Sequence, residues 1–175
     1  MAAPTKPALV KAFGNESWIF VLTIASKTAP TAVEIEAATG INLSCALFGD
    51  QDGLSGTTDK VTLPRRLCET VTFESNGATS FSMADMVVSF DAQGAPASAG
   101  KKAWEALVDN SSGYLVQRLG KSGTTVVAAG DYVNVVPVQL GTKVPTKTGT
   151  GADGVVAFSQ AVSITDTPAF NVAVV

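Results

Sequence analysis

The sequence predicts a mainly β fold: an antiparallel β-barrel or sandwich with one packed α-helix, plus a long hairpin and loop left over for contact between subunits. Three observations carry that expectation. Apolar residues alternate with polar ones in segment after segment, the period of a strand with two unlike faces. Turn-forming pairs separate those segments, above all Asn76-Gly77, and Asn-Gly between alternating runs signals a hairpin because both residues accept the positive φ of a type I′ turn. Finally, 15% of the residues are charged against 46% hydrophobic, where an average soluble chain has about 25% charged. So little charge leaves apolar surface of the kind that marks protein–protein contact.

At 175 residues the chain suits a single domain, 1–175, with a core large enough to need no staples. Residues 1–14 carry Lys6, Lys11, Pro4 and Pro7 without the continuous apolar stretch of a secretion signal, which predicts a flexible or docking arm. From Asn15 to Ala25, Trp18, Phe20, Leu22 and Ile24 keep period two while Ile19 and Val21 fill the other face, as in a strand covered on both sides. Thr31 to Glu36 extends the rhythm, with Val33 and Ile35 inward and Glu34 and Glu36 outward. Ile41, Leu43, Cys45 and Leu47 form the next apolar face.

Gly49 to Pro64 is polar, rich in Gly and Asp, and long for a connection, so it reads as a functional or partner-ordered loop. Its carboxylates lack the spacing and terminal Glu of a calcium loop. Arg66 to Phe90 then reads as two strands folded about Asn76-Gly77: Val71 and Phe73 alternate on one arm, Phe81 and Met83 on the other. After Asp85 the apolar parity shifts to Ala84, Met86, Val88 and Phe90, predicting either a β-bulge or a strand that changes partner. Gly94 to Gly113 switches to helical spacing through Ala103, Trp104, Leu107 and Val108, with Ser98 placed to cap its start.

Tyr114 to Leu119 and Thr124 to Ala128 predict a second hairpin about Gly120-Lys121-Ser122-Gly123. A phosphate-binding loop does not fit, because Leu115 stands where the upstream glycine is needed. Asp131 to Gln139 and Val155 to Ile164 read as strands joined by a Thr/Lys/Gly loop, with Pro137 at an edge or bulge. Pro168 to Val175 alternates through Phe170, Val172 and Val174, and is expected to finish inside a sheet or a subunit contact.

The chemistry of catalysis is missing from this pattern. There is no histidine, which removes the usual triads, most zinc sites and the commonest general base. Glu34 and Glu36 lie two apart on an outward face, where solvated carboxylates are the rule. Cys45 and Cys68 have no imidazole to activate them; buried reduced thiols are the plain reading and a single disulfide the lesser one. No catalytic, cofactor-binding or metal-binding residue is expected. No apolar run approaches the roughly 18 residues of a membrane span, so no membrane association is expected either. Charge is uneven: seven acids and three bases between Asp50 and Asp91 give a local balance of −4, against +1 elsewhere, which disfavours phosphate contacts there.

The segment Ile41 to Gly77, INLSCALFGDQDGLSGTTDKVTLPRRLCETVTFESNG, resembles the major tail tube proteins of long-tailed (siphovirus-type) actinobacteriophages. A strand bearing a Cys (Leu43 to Leu47), a Gly/Asp/Ser/Thr loop (Gly49 to Asp59), Arg66-Leu67-Cys68 and a Phe73 to Gly77 segment follow in that family's order. The end, FSQAVSITDTPAFNVAVV, is similar to its closing strand. About a third of the chain takes part, and none of these pieces is a motif with chemistry of its own.

The resemblance implies a structural protein of the virion tail, assembled in the host cytoplasm. Six subunits would form a ring, hairpins would join edge to edge into a barrel, and rings would stack around a tape measure protein between a tail terminator and distal tail proteins. DNA would pass through without specific binding, and an acidic wall would help it slide. On that basis Glu69, Glu74 and Asp85 are expected to face the lumen. The loop 49–64, through Asp50, Asp52, Leu54 and Asp59, and the arm 1–14 are expected to contact the neighbouring ring. The rival reading is a β-sandwich binding or adhesion module for carbohydrate, whose Trp and Tyr residues would form an exposed platform, although Trp18 and Trp104 both fall in apolar faces.

Overall fold

The computed structural model describes residues 5–48, 53–95, 98–150 and 154–175. Its elements in chain order are β1 (Glu16–Val21), α1 (Ala32–Ile35), β2 (Ile41–Asn42), β3 (Ser55–Thr62), β4 (Glu74–Ser82), β5 (Met86–Ser89), α2 (Ala99–Ala106), β6 (Ser112–Leu119), β7 (Tyr132–Thr148), β8 (Val155–Ile164) and β9 (Ala169–Ala173). Seven strands form one antiparallel sheet in the order β2-β1-β6-β7-β8-β5, with β9 also against β7, curled into a half-barrel. The other two, β3 and β4, pair only with each other and make a separate ribbon.

Period-two alternation explains why the large sheet is covered on both faces. Along β1, Trp18 and Phe20 enter one core and Ile19 and Val21 the other. Leu115 and Val116 of β6 divide the same way, as do Val136 and Val135 of β7. The first core is covered by α2 through Ala103 and by Leu107 at its C-cap, the second by α1 through Ile35. Each fully buried Leu, Ile or Phe contributes about 1.5–3 kcal/mol of transfer free energy. Trp104 on α2 stacks on Phe90 at 4.5 Å and meets Phe158 edge-on at 5.1 Å, while the Lys143 ammonium lies 4.7 Å above its ring. Trp104 is partly buried against the first core and Trp18 is buried, so neither forms an exposed aromatic platform.

Several local expectations change. Thr31 to Glu36 is not a strand but α1 with its caps: the Thr31 hydroxyl accepts from Glu34 N–H at 3.2 Å, and the Glu34 carboxylate accepts from Thr31 N–H at 2.8 Å. This reciprocal box gives four residues a reason to wind, and it leaves Val33 83% exposed while Ile35 is buried. The strand expected through Leu47 stops at Asn42, because the Asn42 side chain accepts from Ser44 N–H and Oγ and bends the chain. Residues 43–48 then bridge the two sides of the sheet: Leu43 N–H donates to Trp18 O, and Ser89 N–H donates to Ala46 O beside a Leu47–Val88 bridge. Cys45 turns outward there, so it is not a buried thiol; Cys68 is exposed as well, and the two are unpaired.

Asn76-Gly77 is not a turn. It lies inside β4, and β3, which falls within the stretch expected to be a loop, is β4's partner. The pairing steps from Thr58↔Thr79 to Lys60↔Asn76, so Gly77 and Ala78 together oppose Asp59 in a bulge. Of the two outcomes expected beyond Asp85, the change of partner is the one found: β5 leaves the ribbon and pairs with β8.

Thr124 to Ala128 is not a strand, and the Thr/Lys-rich stretch is not a loop but the outer half of β7, which runs to Thr148 against β8. Pro137 is tolerated within β7 because its carbonyl accepts from Thr165 N–H. Its ring nitrogen therefore faces the β8–β9 connection, where no ladder needs a donor. Ser98 occupies the N-cap of α2 but makes no side-chain capping bond. At the other end of the chain, Val174 N–H donates to Asp131 O and Val175 N–H to Pro30 O, so the last residues are bonded into the body.

Candidate assembly surface

The β3–β4 ribbon starts where Ala84 N–H donates to Gly53 O at 3.3 Å. Leu54 and Met83 pack there against the first core, and Phe81 lies 5.8 Å from Phe170 of β9. Near this root the strands are tied by hydroxyl pairs: Ser55–Ser82 and Thr57–Ser80 at 2.9 Å, and Thr58–Thr79 at 3.0 Å. Beyond the bulge the pairs Lys60↔Asn76, Val61↔Ser75 and Thr62↔Glu74 put Lys60, Thr62, Glu74 and Asn76 on one face. Val61, Leu63 and Phe73 take the other, since cross-strand partners share a side. Leu63 N–H to Phe73 O, 2.8 Å, extends the pairing.

The ribbon ends in a tip, residues 63–73, turned by Glu69 N–H donating to Arg66 O at 3.0 Å. Leu67 is fully exposed on it, and Val61, Val71 and Phe73 are more than half exposed. Apolar residues left in solvent together like this mark a contact surface. Among the described residues, no other strand bonds to the outer edge of β3 or of β4. The outer edge of β7 from Val144 to Thr148 is open in the same sense, its only strand partner there being β8. Open edges are templates for another chain.

At the ribbon root lies a groove of about 530 Å³ whose walls include Phe13, Trp18, Cys45, Leu47, Phe48 and Met83. Glu16 lies in it with its carboxylate fixed by Trp18 Nε1–H at 2.8 Å and Gln117 Nε2–H at 2.6 Å.

The opposite extreme is residues 120–131. Arg118, buried on β6, donates to the carbonyls of Ser122, Thr125 and Val126 and to the Asp131 carboxylate at 2.9 Å. Lys121 closes on the other Asp131 oxygen. Lys121's hydrogen bond leads in holding the Asp131 carboxyl down to about 2, helped by Arg118 and Ala128 N–H and opposed by burial. Sequence reasoning misses this cluster; its one signal is an Arg in an otherwise apolar strand pattern, thirteen residues before an Asp.

The acids expected at a lumen do not cluster. Glu69 is half-buried in the tip, accepting from Arg66 N–H at 3.0 Å. Glu74 is exposed on the ribbon, 3.7 Å from Lys60, and Asp85 is exposed at the root. Of the residues expected between rings, Asp59 opposes the bulge and is exposed, and Leu54 is partly buried on the body. Asp50 and Asp52 lie outside the described residues. Residues 5–14 of the expected arm are exposed and hold neither helix nor strand. Among the described residues, no helix is long and apolar enough to cross a membrane.

A family model described as phage tail tube protein matches residues 3–175. The fold is similar to that of a chain in the six-fold symmetrised cryo-EM structure of the anti-feeding prophage baseplate, with a TM-score of 0.50 over 95% of each chain at 10% identity. No curated protein matches the sequence.

Proposed function

This chain belongs to the phage tail tube protein family and is a structural component of the virion tail, and from that premise we propose that its copies close into six-membered rings that stack into a hollow conduit for the genome. The observation that carries the proposal is the β3–β4 ribbon, a paired but isolated sheet whose outer edges have no strand partner among the described residues. A solitary protein gains nothing from such edges, whereas copies arranged around an axis complete them.

The finer reading follows from the resemblance to siphovirus-type actinobacteriophage tubes. The chain works as one tail-tube domain, 1–175, whose arm 1–14 and loop 49–64 clasp the next ring, with Asp50, Asp52, Leu54 and Asp59 at that contact. Glu69, Glu74 and Asp85 face the lumen, where negative charge keeps DNA from adhering. The tube forms in the host cytoplasm around a tape measure protein and ends on terminator and distal tail proteins. Its role needs no catalysis.

Negative-stain microscopy of the purified protein at rising concentration tests the proposal. Rings or tubes with a central channel are expected. A monomer that stays monomeric at high concentration and binds glycans would return the reading to a binding module.

A further inference from the structure

Resting on the tail-tube reading, we propose that the ribbon tip of one copy, residues 63–73, seats in the groove at the ribbon root of a neighbouring copy and brings Cys68 of the first against Cys45 of the second. The two surfaces match in chemistry. The tip offers Leu67, Val71 and Phe73 to solvent, and the groove presents Trp18, Leu47, Phe48 and Met83. They also match in charge: among the described residues neither Arg65 nor Arg66 has a carboxylate within ion-pair distance, while the groove holds the Glu16 carboxylate fixed in place by two donors.

Geometry makes the occupant a second copy. Met83, which follows directly on β4, lines the groove, so the groove lies at one end of the ribbon and the tip at the other. Eight residues of β3 separate them, about 26 Å at ~3.3 Å per residue. A hydrogen-bonded ribbon of that length does not double back onto its own root. A contact between one end of a molecule and the other end of its copy is heterologous, the kind that propagates into rings or filaments instead of stopping at a dimer. Both cysteines of the chain are free and exposed, one on each surface.

The test is thiol cross-linking of assembled protein. Diamide takes the two electrons and two protons released as the Cys68 and Cys45 sulfurs bond, and a short bismaleimide covers spacings too long for a disulfide. The expected result is a ladder of dimers, trimers and higher species on a non-reducing gel, with peptide mapping that joins Cys45 to Cys68. Cys45→Ser and Cys68→Ser should each abolish the ladder while tubes persist. Leu67→Asp should raise the critical concentration for assembly about tenfold, the loss of ~1.4 kcal/mol of contact, with the monomer's melting temperature unchanged. Tubes that give no ladder with either reagent, a Cys68–Cys68 product, or unaltered assembly of the Leu67→Asp variant would overturn this seat and leave the tube reading intact. Failure of the unmodified protein to assemble at all would overturn both.

Discussion

Residues 120–131 and 63–73 look alike as sequence, each a short connection with charges and turn-formers among a few apolar residues, yet they end in opposite states. The first wraps around Arg118, which takes up three of its carbonyls and the Asp131 carboxylate. The second has no such centre: its backbone closes one turn, and Leu67, Val71 and Phe73 stay in solvent. A connection satisfied from within belongs to the stability of the body, whereas one left unsatisfied is free to belong to a partner. The same contrast holds for the sheets, since residues 43–48 bond to both β1 and β5 of the large one, while among the described residues no further strand pairs with the ribbon.

The sharpest way to break this contrast is to remove the ribbon. Because Gly53 and Ala84 are already hydrogen-bonded and Leu54 and Met83 pack on the body, residues 55–82 can be replaced by a short glycine linker. Assembly should be lost entirely while far-ultraviolet circular dichroism and cooperative melting report an intact body; tubes from this variant would refute the assignment. Next in size is Asp131→Ala, which strands the buried Arg118 and should cost about 3–5 kcal/mol in denaturant unfolding. A loss under about 1 kcal/mol would show that the cluster does not anchor the body.

Acid has a smaller effect whose direction is fixed. Asp131 is held at about 2 in the folded chain against its ordinary 3.8, so its contribution is complete above about pH 4 and is lost as pH falls through 2. Glu34, held down by Thr31 N–H, and Asp166, held down by Lys27, move in the same direction, but the first is only half-buried and the second exposed, so both add little. Melting temperature should therefore drop between pH 4 and 2, and in Asp131→Ala the drop should be shallower; equal slopes in the two proteins would mean that Asp131 is not its source. The smallest effect is on the ribbon itself. Glu74→Ala, which loses an exposed pair with Lys60, should change stability by less than about 1 kcal/mol, and calorimetry showing more would mean the ribbon is not independent of the body.

The body is legible in the sequence because burial imposes a period. Trp18 and Phe20 against Ile19 and Val21, and Ala103 of α2 with Leu107 at its C-cap, announce their faces. The ribbon is harder to read, since Thr57, Asp59 and Lys60 are polar on both sides of β3 and no apolar rhythm betrays a strand exposed on both faces. Asn76-Gly77 misleads for a related reason: a bulge admits the same small residues as a tight turn, and only the partner strand decides between them. The capping pair Thr31 and Glu34 is present in the sequence but is outweighed there by the alternation of Val33 and Ile35. Arg118 has no sequence pattern to mark it as a centre, because its partners are mostly backbone carbonyls, which any residue supplies.

Whether copies of the chain complete the ribbon is reached most directly by amide hydrogen exchange, followed residue by residue in the monomer and in the assembled state. Amides on the outer edges of β3 and β4 should exchange freely in the monomer and become strongly protected in the tube, while those of β6 and the inner half of β7 stay slow in both. Outer-edge ribbon amides already protected in the monomer, or still unprotected in the tube, would contradict this.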